Sequence, residues 1–192
     1  MRAGVGAVCT QNITDPRLGP RLLDALACGT SAEAAVEALV AAEPTQAYRQ
    51  LTAVDARGTT AAHSGERTLG IYGSALAAGA VAAGNLLASA LVPAAIVQAY
   101  AAATGPFGAR LVAALAAGLA AGGEAGPVRS AGMLIADGVS WPVADLRVDW
   151  HDDPIGELGR LWELWQPQLA DYVTRALDPT TAPAYGVPGD PG

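Results

Sequence analysis

The run Gln50-Leu-Thr-Ala-Val-Asp55-Ala-Arg-Gly58-Thr-Thr-Ala-Ala-His63 decides the fold class. Gln50 to Asp55 reads as a strand, with Leu51, Thr52 and Val54 suited to a pleated surface. Ala56-Arg57-Gly58 turns the chain, and Gly58 supplies the positive φ that such a turn wants. Thr59 to His63 then returns alongside. A second pair follows the same plan: Ser130 to Ala136, a turn at Asp137-Gly138, and Leu146 to Trp150 alternating apolar and charged residues. Strands therefore come as hairpins rather than alternating singly with helices. That favours an α+β chain with antiparallel sheets covered by helices over a doubly wound parallel fold.

Outward from the hairpin, Ala7 to Thr10 reads as a buried strand close to the start, followed by a turn-rich loop from Asn12 to Pro16. Leu22, Leu23 and Leu26 give a helix over 18–27, and Gly29 suits its left-handed stop. Thr30-Ser31-Ala32-Glu33 fits a capping box for the next helix, which carries Ala35, Val36, Leu39 and Val40 and ends before Pro44. After Ser64-Gly65 the chain enters a glycine-rich passage that extends to Gly84-Asn85. Pro93 to Ala103 and Pro106 to Ala121 read as two helices, each opened by a proline. Gly122 to Pro127 is a flexible loop. Asp153-Pro154 starts a helix with the stripe Leu158, Leu161, Trp162 and Trp165, which Pro167 breaks or restarts. Residues 1–177 read as one domain, and the Pro- and Gly-rich residues 178–192 as a disordered tail.

Composition narrows the chemistry. At 192 residues, with 52% hydrophobic and 15% charged, the chain has the makings of a packed core. All 11 of its basic residues are arginine, which excludes Schiff-base chemistry and a phosphate-loop lysine. A net charge of −7 speaks against a nucleic-acid partner. Cys9 and Cys28 read as small buried hydrophobes and are too few for a disulfide framework or a four-thiolate zinc site. No metal or other cofactor is implied. The uncharged run between Arg67 and Arg110 is long enough to test as a membrane span. Its alanines and glycines, and its interruption by Gly79, Gly84, Asn85 and Pro93, favour closely packed backbone instead. No secretory run opens the chain, so a cytoplasmic protein without a membrane partner is the default expectation.

Few side chains are candidates for chemistry. Thr10 ends the first strand beside Gln11. His63 and Ser64 are adjacent in an extended chain and so should point to opposite faces. Asn85 lies in an apolar setting, where its amide either donates to an oxyanion or caps the next turn. Gly122-Gly123-Glu124 offers backbone N–H groups and a carboxylate. Asp149, His151, Asp152 and Asp153 suggest oxygen ligands for a metal, but helix capping and a solvated strand end explain them better. Three of the four tryptophans lie near the last helix, where they either form a homodimer interface or complete the monomer core.

Several phrases, in order, resemble the bacterial family called domain of unknown function 1028. They are Arg2-Ala-Gly-Val-Gly-Ala-Val-Cys-Thr-Gln11, Gly19-Pro-Arg-Leu-Leu-Asp-Ala-Leu26, Arg49-Gln50 with Val54-Asp55 and Gly58, Ser64-Gly65, Gly84-Asn85, Gly122-Gly123-Glu124, Ser130-Ala131, and Arg147-Val-Asp-Trp-His151-Asp-Asp-Pro154. That family in turn resembles the N-terminal nucleophile hydrolases. The resemblance implies an αββα sandwich, two antiparallel sheets between helix layers, here without its first two strands. It also implies hydrolysis of an amide or other C–N bond in a small metabolite or peptide, by an N-terminal Thr, Ser or Cys whose own amine is the base. On this reading Asn85 is the oxyanion donor, and Ser130 lies in a strand facing the site. Glu124 stands where the family more often has aspartate. The candidate catalytic set is Asn85, Glu124, Ser130, Thr10 and Gln11; Gly84, Gly122, Gly123, Arg129 and His151 are the substrate-binding candidates. The sequence also departs from the family. Family members usually begin further upstream, and Met1-Arg2 should keep its methionine. Ala125, Gly126 and Pro127 replace expected arginines, and Thr68 replaces a common cysteine. The alternative to a hydrolase is a catalytically silent protein that keeps the fold and binds a small molecule.

Overall fold

The computed structural model describes residues 1–189; the last residues of the expected tail, 190–192, lie outside the described residues. Strands β1 (Gly6–Asn12), β2 (Arg49–Asp55) and β3 (Thr60–Ser64) form an antiparallel sheet in the order β1-β2-β3. Gln11 pairs with Gln50, and Gln50 with Ser64. Gly58 turns the β2–β3 hairpin at φ +82°, as its sequence requires. Helices α1 (Leu18–Ala27) and α2 (Ala32–Ala42) cover one face, where Leu18, Leu22, Leu26, Val36 and Leu39 pack on Leu51, Ala53 and Ala61. Gly29 leaves α1 at φ +87°. The cap of α2 is one residue later than the capping box predicts. The Ser31 hydroxyl, not that of Thr30, accepts from the Ala34 N–H.

The largest correction concerns the glycine-rich passage. It is a hairpin of β4 (Ile71–Ala77) and β5 (Ala80–Leu87), turned at Gly79. Alanine and glycine are poor strand formers, and the few polar residues of this run do not alternate with apolar ones, so local sequence carries no strand signal there. The hairpin lies on the face of β1–β3 opposite the helices. The Gln11 and Gln50 amides and the Thr60 hydroxyl donate to the carbonyls of Ala83, Gly84 and Ala77. Small side chains are what let the two backbones come this close. Helices α3 (Val92–Ala102) and α4 (Phe107–Ala120) follow, α3 packing on the hairpin and on α4. The order of layers is helix pair, three-stranded sheet, hairpin, helix pair. The uncharged run thus becomes a hairpin and helices, and no helix among the described residues is long and apolar enough to cross a membrane.

A second core joins the hairpin β6 (Ala131–Ala136) and β7 (Pro142–Val148) to α5 (Pro154–Trp165) and α6 (Leu169–Leu177). Met133, Ile135, Val143, Val148, Leu158 and Trp162 form it. Strand β7 begins and ends earlier than its alternation suggests, leaving Trp150 78% exposed beyond its end. Trp162 is buried against Gly108, and the Trp165 indole N–H donates to the Val143 carbonyl at 2.9 Å. Both pack within this core of the chain. Asp153 caps α5 by accepting from the Gly156 N–H, with Pro154 in the first position. Pro167 sits in a short 3-10 turn between α5 and α6, so the helix restarts there. In the expected tail, Tyr185 folds back on Arg175 and Tyr172. Cys9 and Cys28 are both exposed, not buried. Cys9 is on β1, the outer strand, and Cys28 caps the end of α1 beyond its apolar stripe.

Candidate functional site

A cleft of about 410 Å³ opens where the end of β1 meets the end of β5. Gln11 and Asn12 supply one side, and Gly84, Asn85 and Leu86 the floor. Val92 and Ile96 of α3 and Leu115 and Leu119 of α4 form an apolar wall, and Gly123 and Glu124 close the rim. The rim loop is tied to β5 like a short strand: Ala88 N–H donates to the Gly123 carbonyl at 3.0 Å, and Ala125 N–H to that of Leu86 at 2.8 Å.

Beneath the cleft lies a network that fixes how its amides point. Gln50 is fully buried. Its Nε2 donates to the Gly84 carbonyl at 3.0 Å and to the Ser64 hydroxyl at 2.9 Å. A carbonyl can only accept, so the Gln50 nitrogen must face Gly84 and its oxygen must face Asn85. Asn85 Nδ2 therefore donates to Gln50 Oε1, at 3.1 Å. One backbone carbonyl sets two side-chain amides in turn, and Asn85 keeps its second N–H for the cleft. By the same logic Gln11 Nε2 is committed to the Ala83 carbonyl at 3.1 Å, leaving its oxygen as an acceptor.

Two non-glycine residues with positive φ, Asn12 at 71° and Leu86 at 52°, both line this cleft. Asparagine tolerates that region, and Asn12 is held there by donating to the Tyr48 carbonyl at 2.7 Å and accepting from Leu69 N–H at 3.1 Å. Leucine does not tolerate it well, at a cost on the order of 1 kcal/mol, and such strain collects at functional positions. Leu86 is pinned by its backbone bonds to Leu69 and Ala125. Glu124 is the one charged residue lining the cleft among the described residues, and no ion pair engages it.

Of the residues singled out by sequence, Gln11, Gly84, Asn85, Gly123 and Glu124 meet here. The others do not. Thr10 faces the helix side of β1, with its hydroxyl 3.5 Å from the Asp15 carbonyl. Gly122 is exposed just outside the rim. Ser130 is exposed before β6 rather than in a strand facing the cleft. Arg129 pairs with Asp152 and stacks on Trp150, while His151 bonds to Asp153. In the acidic cluster, Asp149 takes Arg147 and Asp153 serves as a helix cap, so capping and ion pairing account for it. His63 bonds the Gln46 carbonyl, whereas Ser64 accepts from Gln50 on the other face. Sequence reading missed Gln50 and Asn12 as site residues. A glutamine in an otherwise apolar strand was the available signal for the first, and an asparagine in a turn-rich loop for the second.

A larger groove, about 570 Å³, runs between α4 and α5 past Val112, Ala116 and Glu163. Of the residues singled out by sequence only Asp153 lines it, and that carboxylate caps α5; the groove's arginine, Arg160, is paired with Glu157.

Comparison with known proteins gives a consistent picture. The model of a family described as "Family of unknown function (DUF1028)" matches residues 1–158. The crystal structure of protein SPO2555 from Silicibacter pomeroyi, of the same family model, is 33% identical, with a TM-score of 0.79 over 88% of this chain and 74% of that one. No curated protein matches the chain.

Proposed function

This chain belongs to the DUF1028 family, and on that premise we propose that the cleft binds the carbonyl of a small amide-bearing molecule and serves hydrolysis of its C–N bond. The observation that carries this reading is the Asn85 amide, held by Gln50 with one N–H left for the cleft. When a nucleophile adds to an amide carbonyl, negative charge gathers on the oxygen. A donor whose orientation is already fixed stabilises that charge without reorganising. The layered helix and sheet arrangement is compatible with the N-terminal nucleophile type, in which the first residue supplies both nucleophile and base.

A second reading, binding without turnover, has its own support. Both hydroxyl-bearing candidates lie off the cleft: Thr10 faces the helix side of β1, and Ser130 is exposed before β6.

The two readings part in one experiment. The chain is incubated with a panel of short N-acyl amides and dipeptide amides, and released amine is followed by fluorescence. Hydrolysis predicts turnover that Asn85→Ala lowers by about 100-fold or more in kcat. Saturable binding without amine release supports the silent reading. Turnover that Asn85→Ala leaves intact removes Asn85 from the reaction.

A further inference from the structure

We infer that the cleft selects a small ligand in which a protonated amine adjoins an apolar segment. The inference rests on reading this cleft as the substrate site, and it names the class of molecule the site takes.

Once the protein's own hydrogen bonds are made, few polar side-chain atoms of the cleft are left over. Gln11 spends its N–H on Ala83 and keeps an acceptor oxygen. Asn12 spends both ends of its amide on backbone partners, and the Thr14 hydroxyl donates to the Asn12 carbonyl. Asn85 spends one N–H on Gln50 and keeps one N–H and its oxygen. Glu124 keeps both carboxylate oxygens, with no arginine beside it in the cleft. The remaining groups are thus acceptors, with a single side-chain donor among them. An ammonium brings three donors and a positive charge, and so complements this set. A carboxylate or phosphate would bring only acceptors and negative charge to it. The overall charge of −7 favours the same sign of ligand at longer range. Val92, Ile96, Leu115 and Leu119 offer the ligand's apolar part a wall, as small-molecule sites usually do.

Three probes of one chain length separate charge from hydrophobic fit: n-pentylammonium, 1-pentanol and pentanoate, each titrated into the 15N-labelled chain. The expected result is saturable shifts at the amides of Gly84, Asn85 and Gly123, with pentylammonium binding tightest and pentanoate weakest. Glu124 is exposed, so Glu124→Gln should weaken pentylammonium by about three- to five-fold and leave pentanol unchanged. Glu163→Gln, on the α4–α5 groove, should change neither. Pentanoate or pentanol matching pentylammonium at the same amides would overturn the charge selection while leaving the cleft as the binding site. The same holds if Glu124→Gln has no effect, or if Glu163→Gln has an equal one. Shifts confined to the α4–α5 groove, or none at all, would overturn the inference together with the reading of the cleft as the site. Because the readout is equilibrium binding, it is independent of whether the chain turns over any amide.

Discussion

The two faces of strand β2 are both buried, and their chemistry is opposite. On one, Leu51 and Ala53 meet the leucines of α1 and α2 in a dry core. On the other, Gln50 and Thr52 lie under the β4–β5 hairpin, and Gln50 donates to two neighbours and accepts from a third. The apolar face gains from area removed from water, which many packings supply. The polar face tolerates far fewer arrangements, because each buried amide atom left without a partner costs on the order of 1–3 kcal/mol. The first face holds the sheet to its helices. The second fixes where Asn85 points, and so shapes the cleft.

Each face of β2 should answer differently to substitution. Leu51→Ala should lower stability by about 3 kcal/mol, since it opens a cavity in a fully packed layer. Denaturant unfolding measures the loss, and the side-chain amide signals of Asn85 should stay where they are. Gln50→Leu keeps the volume and removes the hydrogen bonds, and is expected to cost about 2 kcal/mol. Here the Asn85 signals should move and broaden as its amide loses its anchor. If Leu51→Ala disturbs Asn85 as much as Gln50→Leu does, the division of labour between the faces is wrong.

The smallest effect lies at the end of the apolar face, where Asp55 caps α2. Burial pushes its carboxyl up. The N–H groups of Thr59, Ala32 and Arg57, with the Arg57 guanidinium, outweigh that and hold it below its ordinary value. The folded chain therefore takes up this proton at lower pH than the unfolded chain does. The Asp55 contribution is complete above the ordinary carboxylate range and fades as pH falls through the lowered folded value. The stability gap between the wild type and Asp55→Asn should accordingly narrow between neutral pH and pH 3 in urea titrations. A gap of constant size would mean that the charge of Asp55 is not what holds the cap.

Much of the fold is legible locally. Gly58 announces its hairpin, Gly29 its helix stop, and Asp153-Pro154 its helix start, because each depends on the φ or the capping chemistry of a few adjacent residues. The β4–β5 hairpin is illegible for the opposite reason. Ala75, Ala77, Ala82 and Ala83 have no strand preference of their own, and become strand where the carbonyls of Ala77, Ala83 and Gly84 meet side-chain donors from the neighbouring sheet. The site divides in the same way. Asn85 and Glu124 stand out as polar groups in apolar or glycine-rich settings. Ser130, Arg129 and His151 look equally polar along the chain and turn out to be exposed or paired with one another's neighbours.

Periodicity, turn chemistry and the ordered family phrases determine from sequence alone that this chain is a helix-covered antiparallel α+β protein, because those signals act between near neighbours. Only the tertiary structure brings Gln11, Asn85 and Glu124 to one cleft above the buried Gln50. Their meeting depends on the register of β1 on β2 and on the hairpin stacked above them. Those are long-range choices, settled by the need of each buried donor and acceptor to find a partner far away in the chain.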